Sequence, residues 1–350
     1  MKTVCLLSKG MKIGVNSRLV NYARSGIPVV ISNLYTRLPK IDLKNSYLLF
    51  QPERALSPLE SAWFDNFSIL DLAQKNRVDV LHGPAHTLPW TKPRGMKYLL
   101  TVHDLSFLLV PQMSDFAFKV LYGLWMKRSV QLADHIVTDS ESTKMDLIRL
   151  FSVDPNRITT IYLGVDIAFV PGKNRTNGKY LMTVATHPKR KNLQLLLQTY
   201  KLLVSEYDLD LKVVGQLLPE HQQMLKEAGL MQRVQHFEYM PQEELIELYQ
   251  NAEALVYPSL YEGFGLPVLE AMACGVPALC SDNSSLPEIQ VDSSQRFDPS
   301  DKSDLESKLK TILDYSETER SRLAKSNVQN AKRFSWDKTA LEYMRVIHTM

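Results

Sequence analysis

The sequence predicts an α/β protein of two domains, each built round a parallel sheet. Three observations lead there. A chain of 350 residues that is 45% hydrophobic carries enough apolar mass for two cores. Short apolar runs ending in polar residues alternate with helical stretches along its length. Near the middle, Pro171-Gly172-Lys173-Asn174-Arg175-Thr176-Asn177-Gly178 breaks the alternation as a polar, glycine-bearing linker. The expected boundaries are an extension over residues 1–10, a first domain over 11–170, a second over 171–335, and a closing helix, 336–350.

Met11-Lys12-Ile13-Gly14-Val15-Asn16 reads as a natural start followed at once by a strand, which is why residues 1–10 look like an extension; a peripheral strand is the alternative. Arg24-Ser25-Gly26-Ile27 is a glycine loop, and Val29 to Leu38 reads as a helix. Pro28 suits its opening but removes one N–H donor from the loop. Val78 to Gly83 and Lys97 to His103 are apolar strands with polar ends. Ligands of open parallel sheets gather at such carboxyl ends. That rule makes His103 with Asp104, and also His82 and His86, candidates for a ligand-facing role, against the blander reading of structural histidines. His135 is expected to pack. From Phe107 to Ala133 the chain is apolar and aromatic, with Lys119, Lys127 and Arg128 interspersed. Such a segment lies on a membrane surface or packs on the sheet, and the pattern alone allows both.

In the second domain, Tyr180 to Ala185 reads as the first strand, and His187-Pro188-Lys189-Arg190-Lys191-Asn192 follows at a strand end and helix start. Arg190 and Lys191 there suit a diphosphate, although three adjacent basic residues are more often a solvated charge run. Tyr239 and Met240 follow a later strand end, as neighbours for a nucleotide base. Asp208-Leu209-Asp210 has a metal-binding spacing but precedes its strand, so a surface turn and no metal are expected.

The most informative stretch runs from Tyr257 to Glu270. Ala254 to Tyr257 reads as a buried strand end, Gly263 and Gly265 as a turn, and Pro267 as the first position of a helix that ends near Cys274-Gly275. Strand, glycine turn and helix form the place where an α/β sheet binds phosphate, through N–H groups near Phe264, Gly265 and Leu266. Glu262 and Glu270, eight positions apart, suit gripping sugar hydroxyls as carboxylates. Taken singly, each has a bland alternative: a solvated loop residue for Glu262, a dipole partner for Glu270.

No apolar run spans a membrane, and Val4 to Leu7 is too short for a signal-peptide core. Cys5, Cys274 and Cys280 have no disulfide or metal-ligand spacing, which points to a reducing, cytoplasmic compartment. Residues 1–165 carry a charge balance of +7 and the remainder −4, so an anionic membrane surface or a lipid pyrophosphate suits the first half. No nucleic-acid partner is expected.

Glu-x7-Glu enclosing Gly-Phe-Gly-Leu-Pro and followed by Glu-Ala-Met-Ala-Cys-Gly-Val-Pro resembles the signature of the retaining glycosyltransferases of family 4. The likeness extends through Ser281 to Glu288, Phe334-Ser335-Trp336, Arg190-Lys191-Asn192-Leu193 and Thr101-Val102-His103-Asp104, over nearly the whole chain from Met11. It implies the GT-B fold, two Rossmann-like parallel-sheet domains facing across a cleft, with residues from Trp336 returning to the first domain. It implies a nucleotide-diphosphate hexose as donor, GDP-mannose by likeness to bacterial polysaccharide mannosyltransferases, and a glycan or lipid-linked oligosaccharide as acceptor. Neither a cofactor nor a metal is implied. Carried over, His103, Glu262 and Lys191 are catalytic. Arg190, Lys191, Glu262, Gly263, Phe264, Gly265, Leu266, Glu270 and Gly26 bind the donor, Glu270 at the ribose and Glu262 at the hexose. His82 and Asp104 lie on the acceptor side. The expected location is cytoplasmic, at the inner face of the membrane. A nucleotide-sugar epimerase of the same fold and a catalytically silent binding subunit are the rival readings.

Overall fold

The computed structural model describes residues 10–21, 26–110, 116–172, 179–185 and 189–350. The chain divides into two compact units. The first runs to Leu105, resumes over Phe116–Leu163 and closes with Trp336–Met350; the second holds Gly164–Ser335 with the short segment after Leu105. The division therefore falls at Leu163–Gly164, earlier than the glycine-bearing linker suggests, because Phe169 already packs on Tyr249 of the second unit, ring centroids 5.9 Å apart. Of the expected extension only Gly10 lies among the described residues, and linker residues 173–178 lie outside them.

Six parallel strands form the first sheet: β1 (Lys12–Asn16), β2 (Ser46–Phe50), β3 (Val80–Gly83), β4 (Lys97–Val102), β5 (His135–Thr138) and β6 (Ile158–Thr160), in the order β2-β1-β3-β4-β5-β6. Its inner strands are near-continuous apolar runs, as covering by helices on both faces requires. Tyr98 to Val102, for instance, are all buried. The Ile27–Ile41 helix packs Ile31, Leu34 and Leu38 on this sheet, and Tyr343 and Ile347 of the Trp336–Thr349 helix join the same core. Thr339 Oγ1 donates to Tyr162 O at 2.8 Å, and Tyr343 OH meets Thr101 Oγ1 at 3.0 Å, so the C-terminal helix is tied to the first sheet by polar as well as apolar contacts.

The second sheet is also six-stranded and parallel: β7 (Tyr180–Ala185), β8 (Asp210–Gly215), β9 (Val234–Phe237), β10 (Ala254–Tyr257), β11 (Ala278–Ser281) and β12 (Arg296–Phe297), in the order β12-β11-β10-β7-β8-β9. Its core gathers Leu196, Tyr200, Leu211, Val213, Val256, Leu279 and Phe297. Each sheet reverses direction of strand addition once, between β1 and β3 in the first and between β7 and β10 in the second. Crevices at such switch points, beyond the carboxyl ends of the strands, are where open α/β sheets take ligands.

Candidate active site

At the switch point of the second sheet, Arg190 and Lys191 follow β7 and Glu262 follows β10. All three are buried, at 9%, 5% and 5% exposure. Arg190 Nη1 donates to Glu262 Oε2 at 2.9 Å and to Tyr261 O at 3.0 Å. Lys191 Nζ pairs with Glu262 Oε1 and Tyr257 OH and sits over the Tyr257 ring, 4.5 Å from its centroid. Ser259 Oγ donates to Glu262 Oε1 at 2.6 Å, and Glu262 N donates to Ser284 Oγ at 2.9 Å. Burial alone would raise the Glu262 pKa, but Lys191 and then Arg190 outweigh it, and the carboxyl is held below its ordinary value.

Arg190 and Lys191, expected at a diphosphate rather than in a solvated charge run, are drawn inward by a carboxylate from the neighbouring strand end. Glu262, expected at the hexose, is turned towards these two cations. Both its oxygens are engaged by the cations and Ser259, so it holds two positive charges at fixed positions.

Beside them, the Leu266–Ala273 helix opens at Gly265 with φ of 120°, Pro267 lies in its first turn, and no side chain caps it. A Cβ at Gly265 would meet Leu286 Cδ2 at 2.7 Å. The positive φ and this close approach both require glycine there. Phe264 is buried and packs edge-on against Phe334, centroids 5.9 Å apart, and Ser285 Oγ donates to Phe264 O at 2.7 Å. These contacts set the backbone so that Gly265 and Leu266 lie at the positive end of the helix dipole. Gly263 is buried in the same turn.

Glu270, one turn into that helix and half-buried, accepts from Tyr249 OH at 2.9 Å. Burial pushes its pKa up to about 7, against the lowering effect of the Tyr249 bond. Tyr249 has no local sequence signal; it lies on the buried side of the Gln242–Asn251 helix and meets Glu270 only through packing.

In the first unit, His103 follows β4 and is buried. Its Nδ1 lies 2.6 Å from Asp139 Oδ2 and its Nε2 2.8 Å from Pro84 O. Burial lowers the His103 pKa, but the Asp139 carboxylate more than offsets that, and the net shift is upward. With an acceptor at each ring nitrogen, the imidazolium is the form that satisfies both. The partner that matters is thus Asp139 rather than the adjacent Asp104, which is half-buried and adds a smaller upward effect. Asp139 stands one residue beyond β5, so the strand-end rule that flags His103 flags Asp139 too.

His82 corrects another expectation. It is fully buried, with Nδ1 on Tyr35 OH and Nε2 2.7 Å from Thr101 Oγ1, so both ring nitrogens are engaged within the first unit. Gly26 caps the Ile27–Ile41 helix with φ of 60°, while Arg24 and Ser25 of its loop lie outside the described residues. His135 packs as expected, with Nε2 2.8 Å from Thr159 Oγ1. Asp208 and Asp210 are bridged by Arg233 Nη1 at 2.6 and 3.4 Å. With Met240 they line a cavity of about 550 Å³ at the amino ends of the strands, a lining that does not include Glu262. Tyr239 is exposed.

Two family models cover these units: "Glycosyltransferase Family 4" matches residues 22–169 and "Glycosyl transferases group 1" residues 165–332. The chain is 31% identical over 315 residues to O-antigen chain mannosyltransferase B of Escherichia coli, covering 84% of this chain and 78% of that one. The chain belongs to glycosyltransferase family 4. It is also 29% identical to the O-antigen chain mannosyltransferase RfbU of Salmonella typhimurium, over 72% of this chain and 69% of that one. In fold it matches sucrose-phosphate synthase from Thermosynechococcus elongatus, with a TM-score of 0.80, 18% identity, and coverage of 97% of this chain and 98% of that one. The two parallel six-stranded sheets are therefore those of the GT-B fold. Family membership favours glycosyl transfer over the epimerase and the silent subunit. Among the described residues no helix is long and apolar enough to cross a membrane.

Proposed function

We propose that this glycosyltransferase moves mannose from GDP-mannose, with retention of anomeric configuration, to a hydroxyl of a growing surface polysaccharide or lipid-linked oligosaccharide. The observation that carries the donor half is the pair of buried cations, Arg190 and Lys191, fixed by Glu262 beside the uncapped, glycine-opened helix at the switch point. A diphosphate set there meets two positive charges and the N–H groups near Gly265 and Leu266. Those groups stabilise the negative charge that grows as the sugar–phosphate bond breaks. Glu270 takes the ribose hydroxyls with the carboxylate oxygen that Tyr249 leaves open. Hydroxyls of the hexose reach Glu262 only as the diphosphate draws Arg190 and Lys191 towards itself.

The sugar leaves as an oxocarbenium-like species, and the acceptor hydroxyl attacks from the same face, its proton passing to the departing phosphate. No carboxylate nucleophile and no divalent cation is needed, because the cation pair supplies the charge. His103, charged against Asp139, adds positive potential on the acceptor side. The choice of mannose rests on the likeness to the two O-antigen mannosyltransferases.

The Phe116–Leu132 helix extends this reading to a membrane surface. Only Met126, Ser129 and Val130 are buried, whereas Phe116, Leu121 and Leu124 are 83%, 68% and 54% exposed. Core packing thus accounts for one end of the helix, and an anionic bilayer suits the apolar remainder with Lys127 and Arg128.

The test is thermal stabilisation by GDP-, UDP-, ADP- and dTDP-sugars with EDTA present, followed by NMR assignment of the product anomer. Selective stabilisation by GDP-mannose and an axial product support the proposal. Stabilisation by another sugar nucleotide overturns the donor, an inverted product the stereochemistry, and dependence on a divalent cation the metal independence.

A further inference from the structure

The strand-end rule points to His103, yet the two ring nitrogens of that residue are spent on Asp139 and Pro84. The neighbouring His86 is differently placed. It follows β3 at the switch point of the first sheet, and its ring stands edge-on to that of His103, centroids 5.3 Å apart and planes at 84°. The loop that carries it is tightly built. A Cβ at Gly83 would lie 2.4 Å from Thr87 O, His86 itself has φ of 68°, and His86 N donates to Thr101 O at 3.0 Å. A non-glycine residue held in the left-handed region by such constraints is a frequent mark of a functional position. His86 Nδ1 is buried and has no hydrogen-bond partner, a state that carries a desolvation cost until something binds it. Burial, and then the charge on His103, lower its pKa to about 4, so the ring is neutral at pH 7 and keeps a lone pair.

We propose that His86 supplies the imidazole nitrogen that binds a hydroxyl of the acceptor sugar, with the His103–Asp139 pair as its charged support. The proposal rests on the glycosyl-transfer reading. It assigns His86 an accepting role that the fully committed His103 ring cannot fill, and it makes the Gly83–Thr87 loop a determinant of acceptor choice. His103 in turn becomes a positioning residue.

The test uses the full chain and methyl α-D-mannopyranoside as the acceptor probe. In long-range ¹H–¹⁵N spectra, assigned with His86→Asn, the His86 ring nitrogens are expected at neutral-imidazole positions at pH 7 and to shift as the mannoside is added. The His103 nitrogens are expected to stay at imidazolium positions. In transfer assays, His86→Asn and His86→Ala are expected to raise the acceptor KM roughly tenfold, the worth of one hydrogen bond, with the donor KM unchanged. Asparagine tolerates a positive φ, so His86→Asn separates loss of the imidazole from loss of the loop. If the mannoside leaves the His86 signals unmoved, or if His86→Asn keeps the wild-type acceptor KM, the assignment of His86 is wrong. Failure of every sugar nucleotide to stabilise the protein overturns the donor reading instead, while the ring-nitrogen shift still decides the role of His86 by itself.

Discussion

Lys191 and Glu262, seventy-one positions apart in sequence, form a buried ion pair that joins the segment after β7 to the segment after β10. Removing one partner leaves the other charged, buried and incompletely compensated. Lys191→Ala is expected to cost about 3 kcal/mol of stability and to abolish stabilisation by a sugar nucleotide. The double variant Lys191→Met/Glu262→Gln should recover much of the stability, because no lone charge remains, without recovering binding. Calorimetric melts with and without GDP-mannose separate the two effects.

The same carboxyl predicts acid sensitivity. Its pKa in the folded chain lies below the unfolded value. The stability it contributes is therefore present above the unfolded value of about 4.3 and is lost as pH falls through the lower, folded one. Urea titrations from pH 6 down to pH 3 should show a steeper loss for wild type than for Glu262→Gln.

Glu270 behaves in the opposite sense. With a folded pKa of about 7, it is half protonated near neutrality. A ribose diol at the oxygen that Tyr249 leaves open needs the ionised form, which is acceptor-only and carries the charge that strengthens those hydrogen bonds. Donor Kd should therefore weaken roughly tenfold as pH falls from 8 to 6. Glu270→Gln, which does not titrate, should bind weakly at both values and show a flat profile by calorimetry.

Gly265→Ala tests the turn. The new methyl meets Leu286 at 2.7 Å while the backbone stays at φ of 120°. The expected cost is about 1–3 kcal/mol, with a lower melting temperature and weaker phosphate binding as the helix start shifts. A variant that melts and binds like wild type would show that this turn relaxes without disturbing the helix N-terminus.

Asp139→Asn removes the anion that keeps His103 charged. The folded His103 pKa lies above the ordinary value of about 6.5. The stability gained from the charged ring is thus full below 6.5 and is lost as pH rises through the folded value. In the variant, NMR titration should find His103 losing its proton at lower pH than in wild type, and the alkaline loss of stability should disappear.

Several features are legible along the chain because they are local. Periodicity and end residues place β10 over Ala254–Tyr257 and the helix after Gly265, since a strand, a positive-φ glycine and a first-turn proline each act within a few residues. The strand-end rule finds His103, and applied to β5 it reaches Asp139 as well. His82 looks equivalent to His103 in sequence because both stand near the ends of strands. The groups that enclose His82, Tyr35 and Thr101, come from distant segments.

The alternating α/β order, the two-sheet division and the glycine turn that opens the Leu266–Ala273 helix are all legible in the chain, as consequences of short-range pattern. Folding in three dimensions is what sets Glu262 on Arg190 and Lys191, bonds Tyr249 to Glu270, and leaves His86 rather than His103 with a ring nitrogen lacking a partner. The physical reason is common to the three. The energy of a charge or a ring nitrogen depends on burial and on which distant groups surround it, and chain folding alone brings those groups together.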